Sequence, residues 1–327
     1  MKRLLASVAL VAALFVANGL LSGSLIKGIS VSAYFVQILC LAGINVILAV
    51  SLNLPSGFAG QFSLGHAGFM AIGAYASAYT TVTFGERMQA AVGFLPEFGR
   101  ESVLLLVSLA VGALLAAVAG FFVGVPSLRL RGDYLAIVTL GFGEMIRVII
   151  LNIDVVGGAR GYSGIAKIAN FFWIWLFAAV SIAVVHRIVR SSFGRTLIAI
   201  REDEIAAEAM GVDTTRSKVT SFVVSAALTG IAGGLFGHYL MYINTNSFSF
   251  LKSFDMIIMI VIGGLGSITG SVLGAFVFIG LSEALRELGD YRVVFFALLL
   301  IVIMRVRPQG ILGHRELLDL LRWRKAE

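Results

Sequence analysis

Long apolar runs recur along this chain, each close to the length a helix needs to cross a bilayer, and that recurrence constrains the fold more than any other feature. About 20 apolar residues in a helix span the hydrocarbon core. Clear runs cover roughly 4–22, 31–53, 103–125, 133–151, 171–189, 218–242 and 291–306. Two regions are less regular. Residues 58–82 mix glycines and polar side chains into an apolar background. Residues 252–285 are too long for one span and are interrupted by GGLGSITGS, Gly263 to Ser271. Divided there into 252–264 and 268–285, they bring the count to about ten membrane elements, some broken or short. The expected fold is all-α: a polytopic transmembrane helical bundle forming a single domain over 1–327. Composition excludes a soluble globule, because only 13% of residues are charged where soluble domains carry about 25%, and mean hydropathy is +0.97.

Ten crossings put both ends on one side. Lys and Arg divide roughly two to one in favour of that side, which the positive-inside rule makes cytoplasmic. The basic tail, 307–327, belongs there, and counting 252–285 as one span would strand it on the other side. The net charge of +7 is scattered over loop ends with no basic stripe, so nucleic acid is not an expected partner. The single cysteine, Cys40, lies in an apolar run and reads as a small buried hydrophobe, with neither an internal disulfide nor a cysteine-rich metal site open to it. The first run follows Lys2-Arg3 and has a faint cleavage-like Ala17-Asn18-Gly19; it is read as a retained helix.

The longest loop on the cytoplasmic side falls within 190–217. It opens with Gly194-Arg195 and continues through the helix-forming TLIAIREDEIAAEAM to a stop at Gly211. Leu197, Ile200, Ile205 and Met210 supply an apolar side; Arg201, Glu202, Asp203, Glu204 and Glu208 supply a polar one. A helix that lies on anionic lipid is basic, whereas the centre of this one is acidic, which favours a groove on a protein partner. Asp213 or Thr214 is positioned to cap a following helix.

Polar residues at membrane depth are the other informative feature. SGFAGQFSLGHAGFMAIGAY, Ser56 to Tyr75, places Gln61, Ser63 and His66 among glycines that loosen a helix. Two readings fit: structural hydrogen bonds between helices, or a broken helix beside a translocation path. Gly60, Gln61, Ser63, His66 and Glu144 are the path candidates. Glu144 with Arg147 three residues on reads equally as a functional carboxylate and as an internal ion pair. Asp133 reads as a helix cap near Arg129 and Arg131. Gly157 to Gly161 reads as an ordinary turn or as a docking loop. Gly120 with Gly124, Gly233 with Gly237, and Gly266 with Gly270 and Gly274 are spaced for close helix packing. Gly57, Gly60 and Gly68 repeat the spacing of Gly263, Gly266 and Gly274, a weak internal echo.

Several of these stretches together resemble one family. G-R-x-L-x-A-I-R-E-D-E-x-A-A-E-A-M-G (Gly194 to Gly211) is similar to the coupling loop of the branched-chain amino acid permeases of ABC importers. N-L-x-x-G-x-x-G-Q-x-S-L-G-H-A-x-F (Asn53 to Phe69) resembles a signature of the same family, with Pro55-Ser56 replacing the more usual apolar-glycine approach. LRLRGDYLAIVTLGFGE (Leu128 to Glu144) and GGARGYSGI (Gly157 to Ile165) are similar to the LivM-type subunit, and IGGLGSITGSVLGA (Ile262 to Ala275) also matches. The resemblance covers roughly 35–310. It implies a permease that forms a path by alternating access with a homologous LivH-type permease, driven by two cytoplasmic ATP-binding subunits and supplied by a periplasmic or extracellular solute-binding protein, in a bacterial cytoplasmic membrane. It makes Gly194, Arg195, Ile200, Arg201, Glu202, Glu204, Ala207, Glu208 and Gly211 the ATPase-coupling residues. The chain holds no phosphate loop and no H-E-x-x-H site, so no enzymatic activity is expected of it; ATP and Mg belong to the partner subunits. A stand-alone secondary transporter or channel, with His66 and Glu144 relaying protons, is the competing class.

Overall fold

The computed structural model describes residues 13–19, 32–91, 93, 96–128, 133–289, 291–307 and 309–313. Their regular structure is helical, with one isolated bridge between Tyr162 and Ile243 and no sheet among the described residues. In chain order the helices are α1 (Ala33–Asn53), α2 (His66–Ala91), α3 (Glu97–Ser127), α4 (Asp133–Leu151), α5 (Phe171–Arg190), α6 (Ser192–Glu202), α7 (Glu204–Ala209), α8 (Thr214–Leu240), α9 (Phe250–Gly263), α10 (Ile268–Ala284) and α11 (Tyr291–Val306). Residues 13–19 are helical as well.

Five helices are long and apolar enough to cross a membrane: α1 with its extension to Phe58, α3, α4 from Tyr134, α5 and α8. α9 and α10 reach that length only together and are bent by 120° at their junction, so the 252–285 region is two elements, as the glycine interruption implies. α2 is long but dilutes its apolar residues with glycine, serine and threonine, and α11 has 16 residues. Most of the first run, Arg129 to Gly132 and the tail beyond Gly313 lie outside the described residues.

α1 occupies the middle of the molecule. From Ala42 to Phe58 every residue is buried, which suits a helix apolar on all sides. α5, α8, α9 and α10 pack around it. A tight crossing joins α2, α3 and α8, and glycine makes it possible. A Cβ added to Gly73 would lie 2.2 Å from the Gly230 carbonyl oxygen, and one added to Gly112 would lie 2.8 Å from that of Gly73. The spaced pairs read from the sequence pack as well: Gly120 and Gly124 face Ala226 and Phe222 on α8, and Gly233 faces the Met70 carbonyl on α2. Gly266 departs from its expected row. It sits in the turn between α9 and α10 at φ +81°, while Gly270 and Gly274 lie on α10 against the carbonyls of Gly263 and Met259.

Candidate functional site

The first polar segment is a break in the helical path. Pro55 has no N–H to give and its ring crowds the preceding turn, and there α1 widens into a π turn over Leu54–Phe58. Residues 59–65 are not helical. Gly60 adopts φ +70°, Gln61 N donates to the Pro55 carbonyl (2.9 Å), and the chain turns back into the bundle before α2 begins at His66. The element expected over 58–82 therefore starts as an irregular segment, and its helix runs to Ala91.

That return buries His66 completely. Its Nε2 meets Ser225 Oγ (2.8 Å) and its Nδ1 meets Ser63 Oγ (3.2 Å). Ser225 spends its own proton on the Ser51 carbonyl (2.6 Å), so it accepts from Nε2–H, and Nδ1 accepts from Ser63. Phe69 and Phe222 close over the ring edge-to-face, each with centroids at 5.7 Å. Gln61 is buried too, but both its amide atoms, like Ser56 Oγ, find no partner among the described residues.

Glu144 bonds to different partners from His66. Its Oε2 accepts from Arg147 Nε (2.7 Å), and its Oε1 accepts from the backbone N–H of Phe250 (3.0 Å), the first residue of α9. An intramembrane carboxylate at that point satisfies an orphan donor and meets the positive end of the α9 dipole.

The second break lies between α9 and α10, and it touches the first. Asn53 Oδ1 accepts from Gly266 N (3.0 Å), while its Nδ2 donates to the Ser267 carbonyl (2.9 Å) and to Ser271 Oγ (2.8 Å). Gly57 is so close that an added Cβ would stand 2.4 Å from Gly266 N. Asn53 and Ser267 fall in stretches that resemble the family, but nothing in the sequence pairs them across 214 positions.

The loop read as one helix is two. Asp203 leaves the helical region (φ −156°, ψ 110°) and caps α7, its Oδ1 accepting from the N–H groups of Ile205 (2.9 Å) and Ala206 (3.0 Å). A carboxylate that closes α6 and opens α7 is a local choice available to Asp, and it redirects the apolar residues. Leu197 and Ile200 turn inward and are buried; Ile205 and Met210 are 67% and 84% exposed. Gly194 packs against the Val189 carbonyl, and Gly211 ends the segment at φ +83°. Asp213 caps α8 by accepting from Arg216 N (2.9 Å), which starts that helix at Thr214 rather than 218. Glu204 pairs with the buried Lys218 (2.6 Å), Glu208 accepts from Thr214 Oγ1 (2.7 Å), and Ala207 is buried. Arg195 is exposed. Arg201 crosses to the first break, donating from Nη1 to the Gly57 carbonyl (3.1 Å).

At the opposite end of the bundle, Gly157 to Gly161 holds the second of two 3₁₀ turns, Asp154–Val156 and Gly158–Arg160, pinned by Tyr242 O–H to the Arg160 carbonyl (3.0 Å) and by the Tyr162–Ile243 bridge. Burial raises the Tyr162 hydroxyl pKa above its ordinary value. A cavity of about 740 Å³ opens between α1, α9, α10 and α11. None of the five path candidates lines it. Its polar groups include Lys252 Nζ, which donates to Asn45 Oδ1 (3.3 Å) and stands 4.0 Å from Asp255, together with Arg292. Charges of both signs thus border an apolar floor, a surface suited to a small amphiphile.

The profile of the family described as branched-chain amino acid transport system / permease component matches residues 34–304. The chain belongs to this permease family. It is 35% identical over 317 residues to the high-affinity branched-chain amino acid transport system permease protein LivM of Escherichia coli (strain K12), covering 86% of this chain and 71% of that one. The probable LivM permease of Methanocaldococcus jannaschii is 26% identical over 325 residues, 86% of this chain and 94% of the relative. The LivH permease of Escherichia coli (strain K12) is 35% identical over 167 residues, about half of each chain. No solved structure matches. This permease is therefore a multi-pass membrane protein of the LivM type.

Proposed function

We propose that the chain is the LivM-type subunit of an ATP-driven importer of branched-chain amino acids. It pairs with a homologous LivH-type permease, receives solute from a periplasmic or extracellular binding protein, and is driven by two cytoplasmic ATP-binding subunits that hold the ATP and Mg. Both termini face the cytoplasm of a bacterial inner membrane. The observation that carries this reading is α7: a short helix in a chain of this family, fastened to the bundle through Glu204 and Lys218, with Ile205 and Met210 bare beside Glu202 and Asp203. An apolar ridge flanked by acids on a rigid support suits a groove on a soluble protein.

Ile205→Asp combined with Met210→Asp tests it without disturbing the fold, because neither side chain is buried. The doubly substituted chain inserts and purifies normally while co-purifying ATPase falls by at least about tenfold, the scale of losing interface anchors. Undiminished co-purification, or uptake by this chain alone driven by a proton gradient, overturns the reading. The enclosure of His66 and the separate engagement of Glu144 also argue against a proton relay through the two.

A further inference from the structure

Two interrupted helices in one chain are ordinarily independent features. Here the π turn of α1 and the turn between α9 and α10 lie in van der Waals contact at Gly57 and Gly266, bridged by the three hydrogen bonds of Asn53. A third element reaches the same point. The end of α6 lies over the first break, with Arg201 Cγ 3.1 Å from where a Cβ of Gly60 would be, and Arg201 Nη1 donates to the Gly57 carbonyl. Glu202 holds the rest of that guanidinium, accepting from Nη2 (2.6 Å) and Nε (3.1 Å).

We propose that Arg201 is the strut through which the loop 192–213 moves the paired breaks as one unit. This rests on the reading of that loop as an ATPase docking site and names the residue that carries its motion inward. Four observations converge on it. The loop is stiffly attached, through buried Leu197 and Ile200 and through Glu204 to Lys218, so a push on α7 displaces α6. Arg201 meets the break at a backbone carbonyl, so the group it grips moves only with the main chain of the break. Its planar guanidinium, braced by Glu202, transmits direction as well as force, which a flexible ammonium does less well. The segment it contacts is under-bonded among the described residues, where Ser56 Oγ and both Gln61 amide atoms are enclosed without partners. Leaving such groups unpaired costs free energy that a rearranged break recovers. Because Gly57 rests on Gly266, displacement of the first break is passed directly to α9 and α10, the pair that walls the cavity described above.

The test uses the complete complex in proteoliposomes, with leucine as the transported probe. It compares wild type with Arg201→Ala and Arg201→Lys for three quantities: ATPase co-purification, ATP hydrolysis, and solute taken up per ATP hydrolysed. In Arg201→Ala, assembly and hydrolysis persist while uptake per ATP falls at least tenfold. Arg201→Lys restores a single donor and recovers it to within about threefold of wild type, since one hydrogen bond to a charged group is the main part regained. On the isolated chain, hydrogen exchange at the amides of 57–65 accelerates at least tenfold in Arg201→Ala and stays unchanged in 219–240. Uptake per ATP within twofold of wild type, or a loss of co-purification that matches the loss of uptake, overturns the strut. If the wild-type chain fails to bind ATPases at all, the functional reading fails instead, and the exchange experiment still decides the contact.

Discussion

Gly73, Gly112 and Gly230 carry a close helix crossing, and their lack of a side chain is what brings α2, α3 and α8 together. A methyl group at Gly73 meets the Gly230 backbone at 2.2 to 2.6 Å, where nothing can rotate away. Gly73→Ala therefore destabilises the chain by about 1–3 kcal/mol, the usual cost of overpacking, read as a lower midpoint in denaturant-titrated detergent. Gly141 is the matched control: a Cβ there meets no atom within 4 Å, so Gly141→Ala raises the midpoint by about 0.5–1 kcal/mol through the unfolded state. Equal effects from the two substitutions would mean that the crossing is not glycine-limited. Glu144 is tested by the same measurement. Gln retains an oxygen for the Phe250 N–H and Ala does not, so Glu144→Ala costs about 1–2 kcal/mol more than Glu144→Gln if the carboxylate acts as a cap; parity between them would assign its effect to the Arg147 pair alone.

At the scale of elements, hydropathy made the helical bundle and most of its spans readable, because the length of an apolar run is a local property. Caps were readable for the same reason: Asp213 and Gly211 act within a few residues of themselves. What remained hidden depended on distant partners or on a residue with two plausible roles. Asp203 lies in a run of charges that reads as the polar face of one helix, and only its turn into a cap shows that Ile200 and Ile205 point in opposite directions. Ser63 and His66 were visible as polar groups at membrane depth, but the partners that His66 reaches, Ser225 and through it the Ser51 carbonyl, depend on the packing of α1 and α8. Gly57 and Gly266 meet in space, although the spacing echo matches Gly57 with Gly263 and Gly60 with Gly266. Lys252 and Asp255 drew no notice as a pair because the cavity beside them is built from four helices.

For the whole molecule, the sidedness proposed above is open to a direct measurement. The lone cysteine, Cys40, is fully buried, so the native chain is silent toward thiol reagents. Cysteine introduced at Val155 (67% exposed) lies at the end of the bundle opposite Met210 (84% exposed). In intact spheroplasts lacking the ATPase subunits, a membrane-impermeant maleimide labels Val155→Cys and not Met210→Cys, and both label after permeabilisation. The reverse pattern inverts the molecule. The joined breaks carry a further consequence, for the birth of the protein. Asn53 is synthesised well before its partners, since the three groups it bonds lie 213 to 218 residues downstream. At about 5–20 residues per second, its amide waits roughly 10–40 seconds for the chain that satisfies it. Until then the end of α1 lacks the partners that finish it.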